Sequence, residues 1–200
     1  MKICIVGWHY RASFLKKLAE CHFKVFVIQH REGDTQGIPA KLYENRGLEF
    51  GAYQQYLDNH WDGISDVLFC HDDVDIQGLN VLDQIETLSD MNIDHSYIFN
   101  NFYEEWANAG CHGRAMWCKA SWIKSLQDHG GFPVDLSNTG NTAGKDANKG
   151  AWDFRRMLTG QREGLSAIVP GIEFGRRGWM TEQIFVFKRT NELLMTPIQE

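Results

Sequence analysis

The sequence has no excess of positive charge and no long apolar run. Its 200 residues hold 20 Lys and Arg against 26 Asp and Glu, which gives a formal net charge of −6. Surfaces that bind nucleic acid need clustered Lys and Arg, so this balance argues against a nucleic-acid partner. Because a membrane-spanning helix needs about 20 consecutive apolar residues, we expect no transmembrane segment.

The sequence also has no pair of cysteines spaced as CxxC and no secretory signal. Five cysteines are an odd number, which does not suit a set of paired disulfides. We therefore expect reduced thiols and a cytoplasmic protein. Cys111, His112 and Cys118 suggest zinc when they are taken together with Cys70 and His71, but their spacing fits no tetrahedral template.

What is present is an ordinary globular composition with many aromatic residues. The hydrophobic fraction is 43% and the charged fraction is 23%, and a chain of this length can bury a sizeable core. We expect a single domain over residues 1–200. Seven Trp and twelve Phe are numerous, and aromatic side chains often line ligand clefts as well as cores.

Strand-like and helix-like patterns alternate along the chain. Residues 3–6 form an apolar run that stops at Gly7, as in a buried strand. Residues 11–22 carry apolar side chains at helical spacing, and residues 23–30 return to a strand pattern. Further helices are predicted within 48–61, 78–88 and 151–158, and further strands at 67–70, 95–102 and 166–174. Residues 113–126 are predicted to form a strand that runs into a helix. This order predicts an α/β fold with a mainly parallel sheet flanked by helices.

The stretch VLFCHDDVDI (67–76) ends a predicted buried strand in a cluster of potential ligands: His71, Asp72, Asp73 and Asp75. Ligands of open α/β sheets bind beyond the carboxyl ends of the strands. Clustered carboxylates suit Mg²⁺ or Mn²⁺, and the imidazole of His71 favours Mn²⁺. The alternative is that the three aspartates cap the next helix. One aspartate suffices for a cap, so the cluster favours a metal site.

Residues 44–73 resemble nucleotide-sugar glycosyltransferases of the GT-A fold. In that family a loop bearing Asn and Gly opens a helix, and the next strand ends in a DxD-type motif. Asn45, Arg46 and Gly47 match the loop, and the string that follows them is similar to enzymes of rhamnan synthesis. Residues 67–73 match the strand and its motif, with His71 where the family usually has an aspartate.

The resemblance implies roles for several side chains at this edge of the sheet. Asp73 would contact the metal, with Asp75 and His71 as further ligands, and Asp72 would help to bind the donor. Asn45 and Arg46 lie just before the helix, where they would face the same crevice. Trp8, at the end of the first strand, would stack on the base or pack in the core, and Glu32 would hold the nucleotide or lie in a solvated turn.

The resemblance extends to about residue 175 and implies a catalytic base. Residues 118–133 are similar to the acceptor-side segment, and residues 151–160 to the acidic motif that supplies the base in inverting members. Asp153 is the expected base, although Ala151 stands where a Glu-Asp pair is usual. Asp146, in the preceding Gly-rich loop, is the alternative base, and Glu182 is a further candidate for the base.

The resemblance therefore implies an inverting, hexosyltransferase-type enzyme. It would move a sugar from a UDP-, GDP- or dTDP-linked donor to a hydroxyl of a glycan or other acceptor. Mn²⁺ or Mg²⁺ would stabilise the leaving diphosphate, and a carboxylate would deprotonate the acceptor. Two alternatives stay open: a catalytically silent nucleotide-sugar or glycan-binding module, and a metal-dependent nucleotidyltransferase.

Overall fold

The structure of the protein is a computed structural model. It describes residues 1–72, 74–76, 78–90, 95–97, 115–128, 130–132, 165–168, 172–174, 185–189 and 193–197. The strands are β1 Lys2–Gly7, β2 Lys24–Gln29, β3 Ala40–Leu42, β4 Val67–His71, β5 Val74–Ile76, β6 His95–Tyr97, β7 Ala115–Cys118, β8 Leu165–Ile168, β9 Ile172–Phe174, β10 Phe185–Arg189 and β11 Leu193–Pro197. The helices are α1 Ala12–Glu20, α2 Leu48–Asn59, α3 Asn80–Glu86 and α4 Ala120–Asp128, and a 3-10 turn covers Thr87–Ser89.

Nine of the strands form one sheet in the order β11-β10-β8-β6-β7-β4-β1-β2-β3. Strands β3, β2, β1 and β4 pair with one another in parallel, and β6 and β8 also pair in parallel. Strand β7 runs antiparallel to both β4 and β6, and β10 is antiparallel to β8 and β11. A separate antiparallel pair joins β5 and β9. The predicted α/β fold is confirmed, and the β3-β2-β1-β4 half of the sheet is parallel throughout.

Strand β1 is buried on both faces, which explains why its sequence is a continuous apolar run rather than an alternating one. Ile3 and Ile5 belong to a core cluster that contains Phe14, Leu15 and Leu18 of α1. The intervening residues of β1 face the opposite cluster, which is formed mainly by α2, β4 and α4. The part of the sheet around β1 is therefore packed between helices on both sides.

Most elements predicted from periodicity are found where the structure describes them. Helix α2 and strand β4 occupy the predicted positions, and residues 113–126 contain a strand followed by a helix, as expected. The single strand predicted at 166–174 is instead two strands, β8 and β9, which belong to different sheets. Strands β3, β5, β10 and β11 were not predicted. All three residues of β3 are exposed, so its sequence has no apolar signal. The predicted helix at 151–158 lies outside the described residues.

The four cysteines whose side chains the structure describes, Cys4, Cys21, Cys70 and Cys118, are free thiols. Cys111 lies outside the described residues. None of the helices in the described part of the chain has the length and apolar character needed to cross a membrane.

Candidate functional site at the carboxyl edge of the parallel strands

The carboxyl ends of four parallel strands meet at one edge of the sheet. Four segments follow these strands: residues 8–10 after β1, 30–33 after β2, 43–47 after β3, and 71–72 at the end of β4. The chain runs from β1 outward to β2 and β3 and then returns to β4 on the other side of β1. Such a reversal of strand order opens a crevice at the carboxyl edge, where ligands of open α/β sheets bind.

Asp72 is fully buried at this reversal point. Its Oδ2 accepts hydrogen bonds from the backbone N–H groups of Trp8 at 2.7 Å, His9 at 2.7 Å and Tyr10 at 2.5 Å. Burial raises the pKa of the Asp72 carboxyl, and the three N–H donors oppose that shift. In the described part of the chain, Oδ1 has no hydrogen-bond partner.

This geometry gives Asp72 a partner within the chain that the sequence did not reveal. The sequence placed Asp72 either among the donor-binding residues or in the cap of the next helix. Oδ2 of Asp72 accepts from the turn between β1 and α1, and Oδ1 has no partner among the described residues, so Asp72 does not cap α3. A contact between Asp72 and a donor remains a prediction.

Tyr10 links the loop after β1 to the loop after β2. Its hydroxyl donates to the carbonyl of Arg31 and accepts from Nε2 of Gln29 at 3.1 Å. The same Gln29 nitrogen donates to the carbonyl of Gly33 at 3.1 Å. A Cβ on Gly33 would lie 2.2 Å from the Tyr10 ring, so the ring rests directly on the glycine backbone. The two loops are thus held as one unit.

Trp8 and Arg31 place an aromatic face and a positive charge at the same edge. The Arg31 guanidinium carbon lies over the Trp8 ring, 5.2 Å from its centroid, which is a cation–π geometry. Trp8 is half-buried, whereas Arg31 and Glu32 are exposed. The exposure of Glu32 suits either of the predicted alternatives, a nucleotide contact or a solvated turn. Arg31 was not among the residues predicted from the sequence.

Gln55 of α2 bridges the loops that follow β2 and β3. Its Nε2 donates to the carbonyl of Glu44 at 3.1 Å, and its Oε1 lies 3.0 Å from Nε2 of His30. Because the amide nitrogen is committed to a carbonyl, Oε1 must accept, and Nε2 of His30 carries the proton. Burial lowers the pKa of His30, so the imidazole is held neutral. No sequence pattern identified this bridge, since its members come from separate elements.

The predicted donor residues Asn45 and Arg46 lie in the loop that enters α2. Asn45 is half-buried, and Arg46 is exposed with its Nε bonded to the Glu44 carboxylate at 2.8 Å. An exposed pair of this kind contributes little to stability, so Arg46 can exchange Glu44 for a stronger anion. Gly47 and Leu48 have φ values of 74° and 52°. A left-handed leucine is a strained conformation, and such strain concentrates at functional sites.

The predicted metal ligands are described only in part. His71 ends β4, opposite Val6 of β1, and Asp75 lies in β5 opposite Glu173 of β9. Asp73 lies outside the described residues, as do the predicted bases Asp146 and Asp153. Among the side chains that the structure describes, no three His, Cys, Asp or Glu residues are grouped closely enough to hold a metal ion. The metal site therefore remains a prediction.

Comparison with solved structures identifies the fold. The chain is similar to the mannosyltransferase PcManGT from Pyrobaculum calidifontis in complex with GDP-Man and Mn²⁺ (TM-score 0.51, 16% identity, 68% of this chain and 49% of that chain). It is also similar to TarS 1-349 of S. aureus in complex with UDP-GlcNAc (TM-score 0.54, 13% identity, 96% and 60%). A third similar structure is apo GlyE of Streptococcus pneumoniae TIGR4 (TM-score 0.51, 12% identity, 82% and 44%).

These similarities show that the chain has the GT-A fold of nucleotide-sugar glycosyltransferases, as the resemblance implied. The chain spans about half of the length of PcManGT and three fifths of TarS 1-349. No sequence-family profile matches the chain, and no curated protein matches it by sequence. The structural similarity therefore shows the fold alone, and any activity has to be inferred from the residues of the site.

Proposed function

We propose that this chain is a glycosyltransferase that binds a nucleotide-diphosphate sugar at the carboxyl edge of the β3-β2-β1-β4 half-sheet. The observation that carries the proposal is the ordered pair of loops at the reversal of strand order, in which Trp8, Tyr10 and Arg31 are fixed by hydrogen bonds and a cation–π contact. Similar folds bind GDP-Man in PcManGT and UDP-GlcNAc in TarS. An aromatic face with an adjacent cation suits a nucleobase and its phosphates.

The chain's own cations would bind the donor diphosphate. Arg46 is exposed, and among the described residues it pairs with the neighbouring exposed carboxylate of Glu44, so a diphosphate can displace Glu44 at small cost. Arg31 brings a second positive charge to the loop after β2. These two residues offset part of the repulsion that a chain with a net charge of −6 exerts on an anionic donor.

The side chains of His71, Asp73 and Asp75 are suitable ligands for a divalent cation. Asp73 and Asp75 offer carboxylate oxygens and His71 offers one imidazole nitrogen, a set that suits Mn²⁺ and, less well, Mg²⁺. His71 ends a strand whose neighbour β1 carries the nucleotide-side loop, so these ligands follow the strand that borders the crevice. When bound, the cation would neutralise charge that develops on the departing diphosphate.

The acceptor hydroxyl needs a base on the opposite side of the donor sugar. Asp153 is the proposed base and Asp146 the alternative, and either carboxylate would take the hydroxyl proton as the new glycosidic bond forms. Direct displacement by an activated hydroxyl inverts the anomeric carbon. The acceptor would be a glycan or another hydroxyl compound.

The proposal is tested by binding and turnover with defined donors. UDP-GlcNAc, GDP-mannose and dTDP-glucose are titrated into the protein with and without Mn²⁺ by calorimetry, and the release of nucleoside diphosphate is followed over time. We expect one donor to bind more tightly with Mn²⁺ and to be hydrolysed slowly by water. Binding without release over days indicates the silent binding module, and release of pyrophosphate from a sugar phosphate and a nucleoside triphosphate indicates the nucleotidyltransferase. Absence of binding to all three donors contradicts the proposal.

A further inference from the structure

The turn after β1 presents three consecutive backbone N–H groups to a single point. Trp8, His9 and Tyr10 all donate to one carboxylate oxygen of Asp72, at 2.7, 2.7 and 2.5 Å. Tyr10 adopts a left-handed conformation with φ of 56°, so the chain changes direction directly after the three N–H groups. Successive N–H groups that converge in this way form a nest, a concavity that binds anions such as phosphate.

We infer that Asp72 fills this nest as a built-in anion and is thereby a positioning residue for donor binding. Its carboxylate holds the loop Trp8–Tyr10, which we call the nest loop, in the shape that receives the nucleoside. It also keeps the donor diphosphate out of the nest. The positioning of a donor rests on the proposed function, whereas the occupation of the nest by Asp72 does not.

Because Asp72 is buried, its carboxylate should contribute strongly to the stability of the nest conformation. The side chain is fully buried, so its Oδ2 depends on the three N–H groups rather than on water, and hydrogen bonds to an ionised acceptor are stronger than neutral ones. An alanine at position 72 would leave three donors without their acceptor, and a donor left unsatisfied in a buried site is costly. The nest loop would then take another conformation.

The effect of Asp72 reaches the loop after β2 through Tyr10. The backbone N–H of Tyr10 is bound by Asp72, while its hydroxyl contacts Arg31 and Gln29. A change in the nest loop therefore moves the ring that rests on Gly33. One carboxylate at the end of β4 thus sets the conformation of both loops that would surround the nucleoside.

An occupied nest also decides how the diphosphate can be bound. The nest is the site where these backbone N–H groups would otherwise receive a phosphate oxygen. With Asp72 in place, the diphosphate must be neutralised by cations instead, which are Arg46, Arg31 or a divalent metal. Removing the carboxylate should open the nest to an added anion of similar size.

The experiment uses Asp72→Ala, with Asp66→Ala as a matched control. Asp66 precedes the same strand at its other end, and its Oδ1 accepts one backbone N–H, from Ala120, at 2.8 Å. The midpoint of thermal unfolding is measured in sodium formate and in sodium chloride at equal ionic strength. We expect formate to raise the midpoint of Asp72→Ala by about 2 °C or more by binding in the vacated nest, and to leave the wild type and Asp66→Ala unchanged. An equal effect on all three proteins overturns the inference.

Amide hydrogen exchange of the wild type tests the nest even if Asp72→Ala does not fold. We expect the amides of Trp8, His9 and Tyr10 to exchange at least about a hundredfold more slowly than unstructured amides, because each is bound to a buried acceptor. Exchange at the rate of an open loop would overturn the inference. In Asp72→Asn the nest retains one neutral acceptor, so the protection of these three amides should lie between that of the wild type and that of unstructured amides.

Donor kinetics then test the positioning role. With the donor that the wild type uses, Asp72→Asn should raise the donor KM about tenfold or more, with a smaller change in kcat, and Asp66→Ala should change neither. A wild type that binds none of the donors contradicts the proposed function, while formate rescue and amide exchange still decide the nest. The positioning role is overturned if the wild type binds a donor no better than Asp72→Asn does. It is also overturned if Asp66→Ala shows the same rise in donor KM as Asp72→Asn.

Discussion

Replacing Gln55 by glutamate separates the two hydrogen bonds of its side chain. In the wild type, Nε2 donates to the Glu44 carbonyl and Oε1 accepts from His30. A glutamate keeps the acceptor and loses the donor, so a carboxylate oxygen would face the Glu44 carbonyl. With His30 neutral, the loss of one hydrogen bond and the new repulsion should destabilise the protein by about 1–2 kcal/mol.

The destabilisation should depend on pH with a defined sign. In the wild type, burial lowers the pKa of His30, so its contribution is present above the unfolded value of about 6.5 and is lost as pH falls through the folded pKa. In Gln55→Glu the adjacent carboxylate raises the pKa of His30. Its contribution is then present below the unfolded value and is lost as pH rises through the folded pKa.

The two stability curves should therefore converge as pH falls. Urea unfolding at pH 8 should show the full deficit of Gln55→Glu, and at pH 5.5 the deficit should shrink by about 1 kcal/mol or more as a charge-assisted hydrogen bond forms. Other histidines titrate equally in both proteins and cancel in the difference. Asn59→Ala is the control, since it removes one exposed hydrogen bond on the same helix without a histidine partner. A Gln55→Glu deficit that is the same at both pH values would refute the bridge.

Three further predictions concern the loops and the chemistry. Gly33→Ala places a Cβ against the Tyr10 ring and should weaken donor binding at least tenfold, as measured by calorimetry. In a Tyr10→Ala background, which lacks the ring, Gly33→Ala should change stability little. An equal loss of donor affinity in both backgrounds would contradict the contact. Arg46→Ala should raise donor Kd more than it lowers kcat, because its charge acts on ground and transition states alike, and unchanged affinity with low turnover would contradict this. Asp153→Asn should cut transfer about a hundredfold or more with donor affinity retained; normal turnover, together with an inactive Asp146→Asn, would move the base to the Gly-rich loop.

The part of the fold that could be read from the sequence is the part in which burial leaves a pattern. Strands β1 and β4 are buried on both faces and appear as apolar runs, and α1 appears by its helical spacing. Strand β3 is exposed along its length, so only its pairing with β2 identifies it. Its position depends on a hydrogen-bonding partner that its own residues do not indicate.

The sequence predicted at which edge of the sheet the candidate site lies, but it did not predict the hydrogen bonds within the site. The abrupt change after Cys70 from apolar residues to His71 and the aspartates indicated the edge of the sheet at which the candidate site lies. The role of Asp72 depends on N–H groups more than 60 residues earlier in the chain, and backbone donors have no sequence signature. Gln55 and His30 likewise meet only because α2 packs beside the end of β2.

The most direct test of the account is to map donor binding by nuclear magnetic resonance. Amide shifts of the labelled protein are recorded during titration with UDP-GlcNAc and with GDP-mannose in the presence of Mg²⁺, and Mn²⁺ is then added to broaden nearby signals. We expect one donor to shift amides in residues 8–10, 30–33 and 43–47, and Mn²⁺ to broaden the signals around His71. Donor-induced shifts confined to other parts of the chain, or none with either donor, would contradict the proposed function.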